Sequence, residues 1–130
     1  MAKKIAADAI RARLAANWTA SVILGLNSTT QTPADGSPWV RITFPVASDI
    51  RTALGKNYRE SGSARIVVAT QIGDGLETSN SWCEQIATIF RGQKFDGVDC
   101  YAPPSIREGI DDGSYFIASV IVPYRYDYSD

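Results

Sequence analysis

The sequence contains no histidine among its 130 residues. Imidazole is the side chain most often used for proton transfer near neutral pH, and it completes the common Ser-His and Cys-His nucleophile pairs. These catalytic arrangements and histidine-ligated zinc are therefore excluded. We expect a protein that is not an enzyme and that uses no cofactor.

Cysteine is also scarce, with only Cys83 and Cys100. Two thiols are too few for a disulfide framework or a four-ligand metal site. Both lie in apolar stretches, and free cysteine behaves as a small hydrophobic residue. We predict that both thiols are buried, reduced and poorly reactive.

Long apolar runs and an excess of one charge are missing as well. No run approaches the ~20 apolar residues of a membrane span, and charges interrupt the first residues before a signal-peptide core could form. The 13 basic and 14 acidic residues leave a net charge of −1, which argues against tight non-specific nucleic-acid binding. The sequence predicts synthesis in a cytoplasm and no membrane partner.

The patterning that is present predicts two helices and several strands. Residues 3–17 and 76–91 carry apolar stripes at helical spacing, and Gly92 suits a helix C-cap. Strands are predicted over 39–46, 64–72, 98–102 and 114–128, and residues 22–26 form either a short strand or a packed loop. Because strands come in adjacent runs, we predict one α+β domain over residues 1–130, with a mainly antiparallel sheet of four to five strands and two helices packed on one face.

Three further stretches affect assembly. Residues 47–63 are polar and indicate a long loop or an extended hairpin arm, and residues 105–113 (SIREGIDDG) are predicted to be a charged loop. Residues 115–124 (YFIASVIVPY) are apolar almost continuously, so both faces of this strand should be buried. Two short helices cover only one face, so either the loop after the first helix or a neighbouring subunit must cover the other.

The turn Gly73-Asp74-Gly75 between a strand and a helix resembles a phosphate-binding loop. The dinucleotide fingerprint fails, because Thr78 stands where the third glycine belongs, and no Walker sequence is present. We therefore expect no nucleotide binding at this turn.

Carboxylates cluster only at Asp96/Asp99 and at Asp111-Asp112. Such pairs could hold magnesium, but solvated turn carboxylates beside glycines are the simpler interpretation.

Tyrosines alternate along the last strand at positions 124, 126 and 128. Aromatic residues on one strand face can stack bases, but no basic groove accompanies them, so packing or a protein interface is favoured. The candidate interface combines the first two of these tyrosines with the polar arm and comprises Arg51, Leu54, Lys56, Tyr58, Arg59, Tyr124 and Tyr126. The arm is either a mobile surface loop, or it orders against a neighbouring subunit or another protein, with its three basic residues meeting acidic partners.

Several short motifs fall in a familiar order: GSPWVR at 36–41, LG at 54–55, Gly62, QIGDG at 71–75, WCxxIAxxF at 82–90 and VIVPY at 120–124. Together they cover nearly the whole chain, which resembles the small tail terminator-like proteins of long-tailed bacteriophages. Trp82 and Cys83 stand where that family often has small or aliphatic residues.

The resemblance implies a structural subunit without catalytic residues that assembles into a ring, typically a hexamer. Such a ring caps the tail tube, ends its polymerisation and offers a surface to a head-completion or connector protein, while DNA passes through without sequence-specific binding. The implied location is the neck-proximal end of the virion tail, after assembly in the host cytoplasm. Two alternatives stay open: another neck or head-completion connector protein, and a small ligand-binding α+β domain.

Overall fold

The computed structural model of the chain describes residues 4–24, 37–51, 57–71, 75–111 and 115–129. Its two helices are α1 (Lys4–Asn17) and α2 (Gly75–Phe90), close to the predicted ranges. Its strands are β1 (Val22–Leu24), β2 (Trp39–Arg51), β3 (Asn57–Gln71), β4 (Lys94–Phe95), β5 (Val98–Asp99), β6 (Ser105–Asp111) and β7 (Tyr115–Ser129). The sheet order is β1-β2-β3-β7-β5-β4, and β6 pairs with β7 beside this path.

The α+β class with two helices is confirmed, but the prediction of four to five strands was too low. The described residues form a seven-stranded sheet. It is mixed, because β1 runs parallel to β2 while the other pairs are antiparallel.

The prediction of a loop over residues 105–113 was wrong for 105–111, which form β6. This strand has one neighbour, and edge strands commonly carry charged residues that hide a strand pattern.

A two-residue hairpin turn creates β4 and β5. Asp96 (φ 48°) and Gly97 (φ 84°) both have left-handed backbone, as the tightest hairpin turns require. The predicted strand over 98–102 is therefore only two residues long. Beyond it, the backbone N–H of Cys100 donates to the carbonyl of Gln93 at 3.0 Å.

Both helices pack on one face of the sheet over the main core. Alternate strand residues point into this core because successive side chains of a strand face opposite ways. The largest apolar contributors include Ile10, Leu14, Ile66, Ile86, Phe90, Val120 and Tyr124. Helix α2 ends at Phe90 and is followed, as predicted, by a C-cap glycine, Gly92, whose φ of 66° is left-handed.

The polar stretch predicted as a loop or an arm is an arm. β2 and β3 stay paired out to Arg51 opposite Tyr58, and β7 pairs along the whole of β3. We call the segments 47–51, 57–63 and 124–129 the three-stranded arm. A bulge between Thr43 and Val46 separates it from the rest of β2 and interrupts the alternation predicted over 39–46.

The sheet face away from the helices carries a second, smaller apolar cluster. Leu24, Trp39, Ala69 and Tyr115 are buried there, and the rings of Trp39 and Tyr115 meet edge to face with centroids 5.8 Å apart. The continuous apolar pattern of β7 thus corresponds to burial on both faces at this end of the strand. The loop predicted as one possible cover includes residues 25–36, which lie outside the described residues.

Candidate assembly interface

The residues predicted to form an interface converge on the three-stranded arm. Its described members are Arg51 at the end of β2, Tyr58 and Arg59 at the start of β3, and Tyr124 and Tyr126 on β7. Leu54 and Lys56 lie outside the described residues. Cross-strand register places Arg51 opposite Tyr58 and Arg59 opposite Asp127. The arm therefore brings together residues that are more than 60 positions apart in sequence, such as Arg59 and Asp127.

A row of stacked tyrosines lines the side of the arm that continues the helix-covered face. Tyr58 stacks on Tyr128 with ring centroids 5.5 Å apart, and Tyr128 stacks on Tyr126 at 6.1 Å. Stacked aromatic pairs add stability beyond their buried area. Because the rings stack on one another, their faces are already partly occupied, which favours packing over base stacking.

A buried carboxylate joins the arm to the core. Glu60 is only 1% exposed, and its Oε1 accepts a 2.8 Å hydrogen bond from the Tyr124 hydroxyl. Burial, and then the bond to Glu60, raise the pKa of Tyr124 above its ordinary value. The Tyr124 ring also meets Phe44 edge to face at 6.4 Å. Tyr124 is thus buried within the subunit and acts on the structure of the arm.

The opposite side of the arm carries ion pairs. Arg59 donates through Nε and Nη2 to the two carboxylate oxygens of Asp127, at 2.7 and 3.0 Å. This bidentate bond lowers the pKa of Asp127. Arg125 lies 3.4 Å from Asp99 and places its guanidinium 4.2 Å from the ring centroid of Tyr101. The Arg59 guanidinium, predicted to meet an acidic partner, already has one within the subunit.

Sequence reasoning missed Glu60, Asp127 and Tyr128 as members of this site. Each acts through a partner on a neighbouring strand, so its role depends on the register between β3 and β7. The sequence offered one signal: if these strands pair antiparallel, the segment YRE at 58–60 can lie opposite the segment YDY at 126–128.

Both cysteines are buried, as predicted. Burial raises the pKa of Cys83 and of Cys100 from 9.0 to about 11. A thiol at such a pKa is protonated and unreactive at neutral pH.

The other candidates from the sequence give no cluster among the side chains that the structure describes. Asp96 lies in the β4–β5 turn and Asp99 pairs with Arg125, whereas residues 72–74 and 112 lie outside the described residues. Over the described ranges, no three His, Cys, Asp or Glu side chains come together in a way that could hold a metal ion. Neither described helix is long and apolar enough to cross a membrane.

Comparisons with known proteins agree with this architecture. The sequence model of a family described as phage tail terminator protein matches residues 5–124. A solved structure shares the fold with a TM-score of 0.70 and 20% sequence identity, covering 100% of this chain and 99% of that chain. No curated protein matches the sequence.

Proposed function

The chain belongs to the phage tail terminator protein family, and we propose that it forms a homo-oligomeric ring, a hexamer, that caps the tail tube and ends its polymerisation. The family is structural, and its members are virion tail components. In this proposal one surface of the ring binds the tail tube protein, and another binds a head-completion or connector protein. DNA passes through the ring without sequence-specific binding.

The family match over residues 5–124 carries this proposal. Two features of the subunit support it. The sheet face away from the helices keeps Val67, Ile117 and Ile121 only half-buried, which is apolar surface that a neighbouring subunit can cover. The three-stranded arm extends the sheet past the β2 bulge and presents Ile50, 59% exposed, beside charged residues.

The oligomeric state of the purified chain tests the ring. Native mass spectrometry of the purified chain at micromolar concentration should show six subunits. Negative-stain imaging should show a closed ring in solution and at the neck-proximal end of assembled tails. A chain that stays monomeric or dimeric under these conditions contradicts the proposal.

The arm is the proposed contact with the tail tube. An Arg51→Ala/Lys56→Ala/Arg59→Ala variant should fold, because the Arg59–Asp127 ion pair that it breaks is exposed and such pairs contribute about 0–1 kcal/mol. Charges at an interface rim set specificity and association rate, so losing all three should disturb tail-length control.

A matched control removes the same charge elsewhere. Lys4, Arg91 and Lys94 are exposed and lie outside the arm, so their joint replacement by alanine should leave tail length normal. Circular dichroism establishes that both variants fold. If the folded arm variant also ends tails at normal length, the basic residues of the arm do not contact the tube.

A further inference from the structure

The sheet face away from the helices carries an unusual number of arginines. Side chains alternate along each strand, so the neighbours of core residues such as Ile66 and Val120 point away from the helices. The arginines at such positions of β2, β3, β6 and β7 are Arg41, Arg59, Arg65, Arg107 and Arg125. Among the described paired positions on this face of these four strands, Asp127 is the sole carboxylate and lysine does not occur.

Two of these arginines are already neutralised. Arg59 pairs with Asp127, and Arg125 pairs with Asp99 on β5. Arg41, Arg65 and Arg107 make no ion pair with any described residue. Three positive charges on this face therefore lack a counterion within the part of the subunit that the structure describes.

The cross-strand register places these three arginines close together. One row across the sheet reads Arg41, Val67, Ser119 and Arg107, and the next row reads Thr43, Arg65, Ile121 and Ser105. Neighbouring strands lie about 4.8 Å apart, so the backbones of the outer two arginines are separated by roughly 14 Å. We call this surface the arginine face and define it as Arg41, Arg65 and Arg107 with the half-buried Val67, Ile117 and Ile121.

The composition of the arginine face is that of a protein interface. Arginine is enriched and lysine depleted in such interfaces, around an apolar centre. The guanidinium can bind a carboxylate through two parallel hydrogen bonds. Branched aliphatic side chains lie between the arginines here, whereas surfaces that bind nucleic acid place polar or aromatic side chains between their phosphate contacts.

The complementary charge lies on the same chain. The net charge of the whole sequence is −1, so the positive excess on this face is balanced by carboxylates elsewhere. Exposed examples among the described residues are Glu77 on α2 and Asp96 in the β4–β5 turn. A second copy of the chain can therefore supply the carboxylates that the arginine face lacks.

Charge also selects the symmetry of this contact. Two copies that met through their arginine faces would bring like charges together in a desolvated interface, at a cost in free energy. We propose that the arginine face binds a carboxylate-bearing surface of a second copy in a head-to-tail contact, a proposal that rests on the ring proposed above. Head-to-tail contacts do not end with two copies, and they close into a ring when the rotation between neighbouring copies closes.

Charge reversal tests the arginine face. Arg65 and Arg107 are exposed, so the Arg65→Glu/Arg107→Glu variant should fold. Its subunits should associate at least about 100-fold more weakly than wild type, because a contact between opposite charges becomes repulsive. The Arg65→Gln/Arg107→Gln variant removes charge without reversing it and should weaken association by about 10-fold. Sedimentation over a concentration series in 0.15 M salt measures both.

The matched control is Arg11→Glu/Arg91→Glu, which reverses two exposed charges on the helical side and should leave rings intact. If wild type and the folded reversal variant form rings with equal affinity, the arginine face is not the subunit contact, although the ring itself stands. If the reversal variant forms normal rings but loses binding to double-stranded DNA, the face binds nucleic acid and the proposal is wrong. A wild-type chain without rings overturns both this contact and the proposed function.

Discussion

Tyr124 on β7 donates a 2.8 Å hydrogen bond to the Oε1 atom of Glu60 on β3, with both side chains buried. Tyr124 is the arm residue that also belongs to the main core beneath the helices, whereas Glu60 lies further out along the three-stranded arm. The bond therefore fixes the arm relative to the core. The hydrogen bond joins two residues that are diagonal neighbours across β3 and β7, because Tyr124 lies opposite Gly62 and Glu60 lies opposite Tyr126.

Replacing Tyr124 by phenylalanine should lower the free energy of unfolding by about 1–3 kcal/mol, because a buried carboxyl group loses its hydrogen-bond donor. Urea denaturation measures the change. Tyr101→Phe is the control, since Tyr101 is exposed and its hydroxyl should matter by less than about 0.5 kcal/mol. Equal effects of the two substitutions would show that the Tyr124–Glu60 bond does not stabilise the arm.

Stability should fall steeply in mild alkali. Burial raises the pKa of Cys83 and Cys100 from 9.0 to about 11, so the unfolded thiols ionise before the folded ones. Their contribution is complete below pH 9 and is lost between pH 9 and 11, by on the order of 2–3 kcal/mol for each thiol. Tyr124, whose pKa is also raised from 10.0 by burial, acts in the same direction above pH 10.

A series of urea unfolding curves from pH 8 to 11 measures this dependence. The Cys83→Ala/Cys100→Ala variant provides the control, because between pH 9 and 10 its unfolding free energy should change much less than that of wild type. Identical slopes for the two proteins, or rapid labelling of the wild-type thiols at neutral pH, would show that the cysteines are accessible.

Regular patterns in the sequence were sufficient to predict much of this fold. Both helices and β2 have apolar side chains at a clear period, whereas β3 is rich in β-branched residues and β7 contains a continuous apolar run. The existence of these five elements was predicted. Strand β6 lacks such a period, because a bulge between Arg107 and Ile110 breaks its alternation. The β4–β5 hairpin rests on two residues, Asp96 and Gly97. From the sequence, Asp96 was interpreted as a turn carboxylate beside a glycine, but no hairpin was predicted there.

The bulge in β6 requires glycine at position 109. A Cβ atom there would lie 0.9 Å from the carbonyl oxygen of Ile117 on β7. Gly109→Ala should therefore separate the two strands and lower the unfolding free energy by more than about 2 kcal/mol.

Gly92→Ala gives a matched comparison for this effect. Gly92 has a left-handed φ of 66° but no neighbouring heavy atom within 4 Å of an added Cβ, so only the backbone strain of about 1–2 kcal/mol applies. Denaturation of both variants, with hydrogen exchange along β6, should rank Gly109→Ala as the more damaging. The reverse order would mean that β6 is not held against β7 at this point.

Trp18 and Trp82 meet edge to face with ring centroids 5.1 Å apart. Trp18 is 4% exposed and belongs to the core, whereas Trp82 is half-buried against it. Trp18→Ala should cost about 3–5 kcal/mol, as large-to-small aromatic changes in cores do. Trp82→Ala should cost roughly 2 kcal/mol, since less of its surface is removed from water. Denaturation followed by far-ultraviolet circular dichroism checks the order, and a cost below about 1 kcal/mol for Trp82 would place it outside the packed interface.

The candidate site was harder to predict than the fold. Alternation in the sequence was enough to single out Tyr124 and Tyr126, but the pairing of Glu60 with Tyr124 and of Arg59 with Asp127 depends on strand register. The arginine face depends on register too. Its residues lie on four strands. The net charge of −1 for the whole sequence gives no sign of this local positive excess, because the balancing carboxylates lie elsewhere on the chain.

The central claim is that this protein ends the polymerisation of a phage tail tube, and the length distribution of tubes tests it most directly. The tail proteins of the same phage would be produced with and without this chain, and the tubes measured by electron microscopy. With the chain present, we expect tubes of one length, each closed at one end by a ring. Without it, we expect tubes of broad and greater length. Identical length distributions in the two preparations would contradict the account.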